Sequence, residues 1–394
     1  MHDKENMTQH GTRRNFFSRA GSLAGAGLLA SAMERTGNSS TTKGPGDFII
    51  VEGHRDIWEQ SGRTRIRDEA QHWPIANFIA QRLIEGGLSV VIMPCGGDSL
   101  EERDGQEEMF EGSMRVLDMI LSDIEKAGSK ASIIRTKADI PTRPNAGKVQ
   151  FFLDMEGGGS LQTNAIEPEF PAERSLALLR QFFRLGMRGL QLTHNGRNQL
   201  GDGRGIDKAG SRLTPFGVAV VQEMNRLGMM VGVSHMSTNA LMHTAEISKT
   251  PIVSTHQNLE RFVKSRPPVE VTDEEAKAVA KTGGIVGIRY IVNVTPYKLL
   301  ADEVEYLAKL IGVEHIGVGW LGHDKVNPSG REVEGRTTRT YSGVEAQTMH
   351  EHWDTFIKML SERGFTDDQI NLILGANYVR IWQQILPDGP KSVS

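Results

Sequence analysis

Several histidines and carboxylates in this sequence come directly after short apolar runs rich in valine and isoleucine. The first run ends in Gly53-His54-Arg55-Asp56, and the third ends in Glu156-Gly157-Gly158. The histidines that follow later runs are His194, His235, His256 and His323. His54 and Asp56 are two residues apart, so on a strand both side chains point the same way. Imidazole and carboxylate groups together suit zinc or a similar divalent ion.

A single histidine of this kind is more often a hydrogen-bonded structural residue than a metal ligand. The whole set is harder to explain in that way. Structural placement alone would crowd several titratable groups into one desolvated space, which is costly without a cation. We therefore interpret the strand-end residues as a metal site.

The elements that must position these residues are eight apolar runs that alternate with helical stretches. This alternation predicts an α/β fold with a parallel sheet, and eight units suggest a (β/α)8 barrel of the TIM type. In such barrels the active site lies at the carboxyl ends of the strands. Extra C-terminal helices are predicted over residues 345–362 and 366–386. The predicted strands are 48–51, 88–93, 149–155, 189–192, 229–233, 251–254, 284–290 and 316–319.

The composition is that of an ordinary globular protein. The 394 residues carry a net charge of −4, with 38% hydrophobic and 24% charged residues. This balance excludes a disordered chain and a basic nucleic-acid-binding protein, so we expect no nucleic-acid partner. Cys95 is the only cysteine, so no internal disulfide is available. We assign residues 47–388 to one barrel domain. The oligomeric state stays open, and a homodimer is compatible with the sequence.

The amino terminus has the layout of a signal peptide. Arg13 and Arg14 stand beside two phenylalanines, and a weakly apolar run over residues 20–29 precedes Ala30-Ser31-Ala32. We predict a twin-arginine signal peptide over residues 1–32, a linker over 33–46, and export to the periplasm or elsewhere outside the cytoplasm. The run is far shorter than the ~20 residues of a membrane span, so no stable span is expected after processing. A disordered basic tail is the alternative interpretation.

The sequence also resembles the membrane (renal) dipeptidase family, which belongs to the amidohydrolase-type barrels. The resemblance covers nearly the whole mature chain and depends on many segments in the same order. Besides the H-x-D pair, these segments include Glu156-Gly157-Gly158, Leu192-Thr193-His194-Asn195, Leu213-Thr214-Pro215-Phe216-Gly217, Ser234-His235-Met236-Ser237 and Leu374-Gly375-Ala376-Asn377-Tyr378-Val379-Arg380.

The resemblance implies a binuclear zinc site with two ions per chain. His54 and Asp56 would hold one ion, and His235 and His256 would hold the other. Glu156 would bridge the two. A bridging carboxylate makes physical sense, because two dications placed close together repel unless negative charge lies between them.

The residues that correspond to the family's substrate-binding positions are only partly the same in this sequence. His194 corresponds to the family histidine that contacts the substrate and polarises the scissile carbonyl, and Asn195 follows it in the same motif. Arg266 is the candidate for the family arginine that binds the substrate carboxylate, although a proline follows it in place of asparagine. The position three residues before the fifth-strand histidine, often aspartate in the family, is Gly232.

The eighth strand departs most from the family. It usually ends in a G-S-D-F-D-G-like motif, whose first aspartate handles the proton and the substrate amine. Leu321 occupies that place here. Asp324 and His323 are the nearest titratable residues downstream, so they are our candidates for the catalytic group.

The function that the resemblance implies is a metallo-dipeptidase, which cleaves dipeptides or related small amides with water that the metals activate. Leu321 leaves two alternatives open. One is a tailoring enzyme or an amide or lactone hydrolase, acting on a substrate without a free amino terminus. The other is a non-catalytic metal-binding barrel that serves a periplasmic partner. The two-metal ligand set counts against the latter, because a binding module has no evident need for it.

Overall fold

A parallel sheet of nine strands forms the centre of the molecule in the part of the chain that is described. The structure is a computed structural model, and it describes residues 43–55, 73, 75–98, 109–145, 147–161, 171–263, 270–290, 296–320 and 349–389. The strands are β1 (Ile50–Glu52), β2 (Leu88–Gly97), β3 (Ala131–Ile133), β4 (Val149–Glu156), β5 (Gly189–Gln191), β6 (Met230–Gly232), β7 (Ile252–Ser254), β8 (Ile285–Arg289) and β9 (Ile316–Trp320).

Eight of these strands close into a barrel in the order β1-β2-β4-β5-β6-β7-β8-β9. The backbone N–H of Gly53 donates to Val318 O over 2.9 Å, and that of His54 donates to Gly319 O over 2.7 Å. These two bonds join the end of β1 to β9. The predicted (β/α)8 barrel is therefore confirmed, and all eight predicted strands are present with shifted ends.

The ninth strand, β3, is the one that the apolar pattern missed. It pairs with the first residues of β4, whereas β5 pairs with the last residue of β4, Glu156. β3 has only three residues, alanine, serine and isoleucine. So short and mixed a segment carries no apolar run to detect.

Helices surround the barrel, and most of them pack against the outer faces of the strands. They are α1 (Ala80–Glu85), α2 (Met109–Lys126), α3 (Pro171–Leu185), α4 (Pro215–Leu227), α5 (Thr238–Ile247), α6 (Asp273–Lys281), α7 (Tyr297–Ile311), α8 (Met349–Glu362), α9 (Asp367–Asn371) and α10 (Asn377–Ile385). Their ends follow local chemistry: α4 begins with Thr214 as N-cap and Pro215 in the first turn. Among the described helices, none combines the length and apolar character that spanning a membrane requires.

The C-terminal helical stretch is interrupted where it meets β1. The prediction of one helix over 366–386 is corrected to α9, a π-helical turn (Leu372–Ala376) and α10. Gly375 lies in that turn with non-helical backbone angles. A Cβ at Gly375 would come within 2.2 Å of Ile49 O, so the turn lets the backbone approach the barrel closely.

The barrel interior is a separate apolar layer beneath the strand ends. Phe152 on β4 stacks on Trp382 of α10 with ring centroids 4.8 Å apart. Phe152, Asp154 and Glu156 alternate along β4, so they share its inner face. Polar groups at the top of the barrel therefore stand directly above a closed core.

Candidate active site

Four of the predicted metal ligands converge at the carboxyl ends of four barrel strands. His54 follows β1, Glu156 ends β4, and His235 and His256 follow β6 and β7. All four are buried, with between 4% and 6% of each residue exposed. The barrel topology alone brings together residues that lie far apart in the sequence.

Glu156 lies at the centre of this cluster. Its Oε1 atom is 3.8 Å from His54 Nε2, 3.3 Å from His235 Nε2 and 3.5 Å from His256 Nε2. The Nε2 atoms of His235 and His256 are 2.8 Å apart, and the rings of His54 and His256 stack with centroids 3.8 Å apart. One carboxylate oxygen therefore faces three imidazole nitrogens.

Two overlapping groups in the described chain have ligand atoms close enough to hold a metal ion. One contains His54, Glu156 and His256, and the other contains Glu156, His194 and His235, with ligand atoms within 4.8 Å of one another in each. Glu156 belongs to both, as a bridging carboxylate must. The grouping places His256 beside His54 and brings His194 in with His235, so the division of ligands between two ions stays a prediction.

The protonation states suit a divalent cation. Burial lowers the pKa of His235 to about 4, and burial likewise holds the pKa of His256 well below its ordinary value. Burial alone would raise the pKa of Glu156, but His54, His235 and His194 outweigh it and hold that pKa well below its usual range. Neutral imidazoles that face an ionised carboxylate form a donor set that zinc accepts.

Asn195 fixes the orientation of His235. His235 Nδ1 lies 3.0 Å from Asn195 Oδ1, and Asn195 Nδ2 lies 3.4 Å from His194 Nε2. Since an amide oxygen only accepts, Nδ1 of His235 must carry the hydrogen, which leaves a lone pair on Nε2. His235 is also the one non-glycine residue with positive φ (64°) in the described chain. Such a conformation persists where the surroundings over-determine it.

His194 is the half-buried member of the site, with more solvent access than the four buried residues that we predict as ligands. Its backbone is held by Asp98, which the sequence analysis missed. Asp98 accepts hydrogen bonds from the Gly159 N–H (2.6 Å), the His194 N–H (3.2 Å) and Asn198 Nδ2 (2.7 Å). Burial raises the pKa of Asp98 to about 6. Gly157 makes room for it, because a Cβ there would lie 2.2 Å from Asp98 Cγ.

Arg289 is a second residue of the site that the sequence analysis did not single out. It is the last residue of β8. Burial lowers the pKa of its guanidinium group, and the negative charges of Glu270, Glu156 and Glu303 offset this only in part. Its charge in turn contributes to the lowered pKa values of His235 and His256. The site therefore has a cationic side chain beside its histidines.

The remaining predicted site residues lie outside the described residues. They are Asp56, Arg266, Leu321, His323 and Asp324. Their assigned roles as metal ligand, carboxylate-binding residue and catalytic groups stay predictions.

Comparison with known proteins points to one family. The family model described as membrane dipeptidase (peptidase family M19) matches residues 46–387. Dipeptidase verJ of Clonostachys rogersoniana is 26% identical over 362 residues, which cover 86% of this chain and 84% of that protein. Dipeptidase 3 of Mus musculus is 29% identical over 362 residues, which cover 86% of this chain and 65% of the mouse protein. The chain thus spans just under two thirds of the mouse relative.

Solved structures share the fold. A metallopeptidase of Rhodobacter sphaeroides, liganded with a phosphinate mimic of the dipeptide L-Ala-D-Ala, superposes with a TM-score of 0.68 at 17% identity. That match covers 86% of this chain and 100% of the Rhodobacter chain. An amidohydrolase of Pseudomonas aeruginosa gives a TM-score of 0.64 at 20% identity, covering 87% of this chain and 98% of the other. At these identities the likeness shows the barrel fold alone.

Proposed function

The chain belongs to the membrane dipeptidase family, and from that membership we propose that it is a dipeptidase that uses two zinc ions. The observation that carries the proposal is the position of Glu156, whose Oε1 lies within 3.8 Å of three imidazole nitrogens. A shared carboxylate among neutral imidazoles is the donor set of a binuclear hydrolase. The dipeptidase relatives favour this function over a tailoring or lactone-hydrolysing role.

The residues that would hold the ions are His54, Glu156, His235 and His256, with Asp56 as a fifth ligand. When bound, the ions supply Lewis acidity to the scissile carbonyl and to the attacking water. Two dications in so buried a space require the negative charge of an ionised Glu156. Its lowered pKa keeps it ionised throughout the physiological range.

His194 is suited to bind the substrate carbonyl. It stands beside Glu156 and His235 but is only half-buried. The hydrogen bond from its backbone N–H to Asp98 fixes the position of the backbone that carries the imidazole ring. A donor that is preorganised at the carbonyl oxygen stabilises the charge that develops there during attack by water.

A substrate panel tests the proposal. The zinc-loaded chain is assayed on dipeptides, N-acyl amino acids and lactones, and we expect hydrolysis of dipeptides that Glu156→Gln abolishes. Glu223→Gln is a matched control, because Glu223 is 7% exposed against 6% for Glu156 but pairs with Arg180 and Arg226 away from the site. Turnover of the other substrates without dipeptides would favour the tailoring role. A zinc-loaded chain that hydrolyses none of them would contradict catalysis altogether.

A further inference from the structure

Four fully buried polar side chains lie beneath His256, where an apolar core would be expected. Each is 0% exposed: Asp154, Gln191, Ser234 and Thr255. Buried polar groups are costly unless every donor finds an acceptor, so their hydrogen bonds can be traced atom by atom. The directions of these hydrogen bonds determine which nitrogen of His256 carries its hydrogen.

Ser234 is the first group whose hydrogen can be placed. Its Oγ accepts from the backbone N–H of Thr255 at 2.8 Å and from that of His256 at 3.3 Å. Both lone pairs of the hydroxyl are then occupied. Its own hydrogen therefore points to the remaining neighbour, Thr255 Oγ1, at 3.0 Å.

The hydroxyl hydrogen of Thr255 also has a defined direction. Its Oγ1 donates to Gln191 Oε1 over 3.4 Å, a long bond to an atom that can only accept. Gln191 is oriented by its other end, where Nε2 donates to Asp154 Oδ2 over 3.1 Å. With one lone pair taken by Ser234, Thr255 Oγ1 has one acceptor position left. That position faces His256 Nδ1 at 2.8 Å.

The consequence falls on His256. Because Thr255 can only accept from it, His256 carries its hydrogen on Nδ1 and keeps a lone pair on Nε2. That Nε2 atom faces Glu156 Oε1 at 3.5 Å. We propose that Ser234, Thr255, Gln191 and Asp154 are positioning residues that hold His256 in its metal-binding tautomer. The inference rests on the metal-binding part of the proposed function, because it assumes that His256 binds a metal.

Gly232 makes the network sterically accessible. It pairs with Gln191 across β5 and β6, and a Cβ at position 232 would lie 2.6 Å from Gln191 Cγ and 2.9 Å from Gln191 Cα. A larger residue would displace the Gln191 side chain from its place between Thr255 and Asp154. The departure from the family's aspartate at this position thus coincides with a glutamine that needs the space.

Substitution of Thr255 tests the inference through metal affinity, without any substrate. Thr255→Val keeps the shape and removes the hydroxyl, whereas Thr255→Ser keeps the hydroxyl. Zinc dissociation constants are measured by competition with a chelator. We expect Thr255→Val to lower the affinity for the zinc ion that His256 binds by about 10–100-fold. This is the usual loss when a residue that hydrogen-bonds to a metal ligand is removed. Thr255→Ser should bind as the parent chain does.

Thr244→Val is the matched control for the loss of a buried hydroxyl. Thr244 is also 0% exposed but bonds to Ala240 O within α5, so its loss should lower thermal stability and leave zinc affinity unchanged. If Thr255→Val does not fold without metal, Gln191→Met is measured in its place, and it should lower the affinity for the same zinc ion. Parental affinity in Thr255→Val, or equal losses in Thr255→Val and Thr255→Ser, would overturn the inference. Loss of affinity in a chain whose parent hydrolyses no dipeptide would instead remove the proposed function and leave this inference standing.

Discussion

His235 and His256 point their Nε2 atoms at one another across 2.8 Å. In each ring Nδ1 bonds to a neighbour, Asn195 in one case and Thr255 in the other. Both Nε2 atoms then present lone pairs, and lone pairs at this distance repel unless positive charge lies beside them. The pair therefore favours a cation, and the carboxylate of Glu156 faces the same space.

Removal of single ligands should empty the site in a graded way. We expect two zinc ions per parent chain, loss of both in Glu156→Gln because both groups share Glu156, and loss chiefly of one in His256→Ala. Metal analysis of the purified proteins gives the count. His315→Gln is the control, since His315 bonds to Gly284 O instead of facing the site. Fewer than about one ion per zinc-supplemented parent chain would contradict the two-metal site.

Asp98→Asn should impair catalysis without removing metal. Three N–H groups donate to the Asp98 carboxylate, and an amide NH2 in place of one oxygen would face at least one of them unpaired. Such a loss costs about 1–3 kcal/mol and would release the backbone at His194. We expect lower kcat on an active dipeptide with both ions retained. Unchanged kcat, or loss of metal in step with activity, would show that Asp98 does not act through His194.

The barrel could be predicted from the sequence because its strands are continuous apolar runs and its helices have a different period. The apolar pattern does not predict secondary structure where tertiary contacts determine the backbone conformation. Gly375 interrupts a helix because of its approach to Ile49 O, and no local pattern records that approach. β3 is likewise defined by its pairing with β4 and not by its composition.

The candidate site divides in the same way. His54, Glu156, His235 and His256 could be named because each follows a strand, where barrel topology brings side chains together. Asp98 could not, because it directly follows β2, which extends to Gly97, whereas the apolar run that predicts this strand ends at residue 93. Arg289 could not be named for a different reason. It lies within the apolar run 284–290, which predicts the seventh strand, and not in the polar cluster that follows a run.

Stability should fall as the pH rises, through Glu303 on α7. Burial raises the pKa of Glu303 from 4.5 to about 8, while Asn258 Nδ2 and the Leu259 N–H donate to its carboxyl group. Between these values the folded chain keeps a proton that the unfolded chain has lost. This contribution is complete below pH 4.5 and is lost as the pH approaches 8, by at most about 1.4 kcal/mol per pH unit.

Glu303→Gln should remove the part of the slope that Glu303 contributes, because an amide resembles the neutral acid at every pH. The parts from Asp98 and Asp123, whose pKa values burial raises to about 6, stay the same in both chains. The free energy of unfolding of the metal-free chain is measured in denaturant between about pH 5 and pH 8. Glu305→Gln, on the same helix but paired with Lys309 at the surface, should leave the slope unchanged. An equal slope in the parent chain and in Glu303→Gln would refute the assignment.

Export should depend on the paired arginines. We propose that residues 1–32 act as a twin-arginine signal, supported by Arg13 and Arg14 ahead of a short, weakly apolar run. Changing both to lysine should leave uncleaved precursor in the cytoplasm, which cell fractionation detects. Arg19→Lys keeps the pair and should be exported and cleaved near Ala32. Normal export of the double variant would exclude the twin-arginine route.

Proton delivery to the leaving amine is expected from Asp324. An amide nitrogen is a poor leaving group until it gains a proton, and correct placement of an acid contributes roughly 10²–10⁴-fold in rate. Leu321 cannot supply that proton. A carboxylate at Asp324 could also pair with the substrate ammonium, which a protonated His323 would repel. Gly322 precedes both residues, and a glycine there would permit a turn that brings one of them toward the metals.

Asp324→Asn should therefore lower kcat on an active dipeptide, by up to about 10²–10⁴-fold, while both metals stay bound. His323→Gln, at the adjacent position, should retain most of the activity. Metal content is measured alongside kcat in each variant, so that loss of an ion is not mistaken for loss of an acid. If Asp324→Asn keeps full kcat with both ions present, then Asp324 only caps the loop that follows it. A substrate with no free amine, the alternative that Leu321 first suggested, then becomes the better hypothesis.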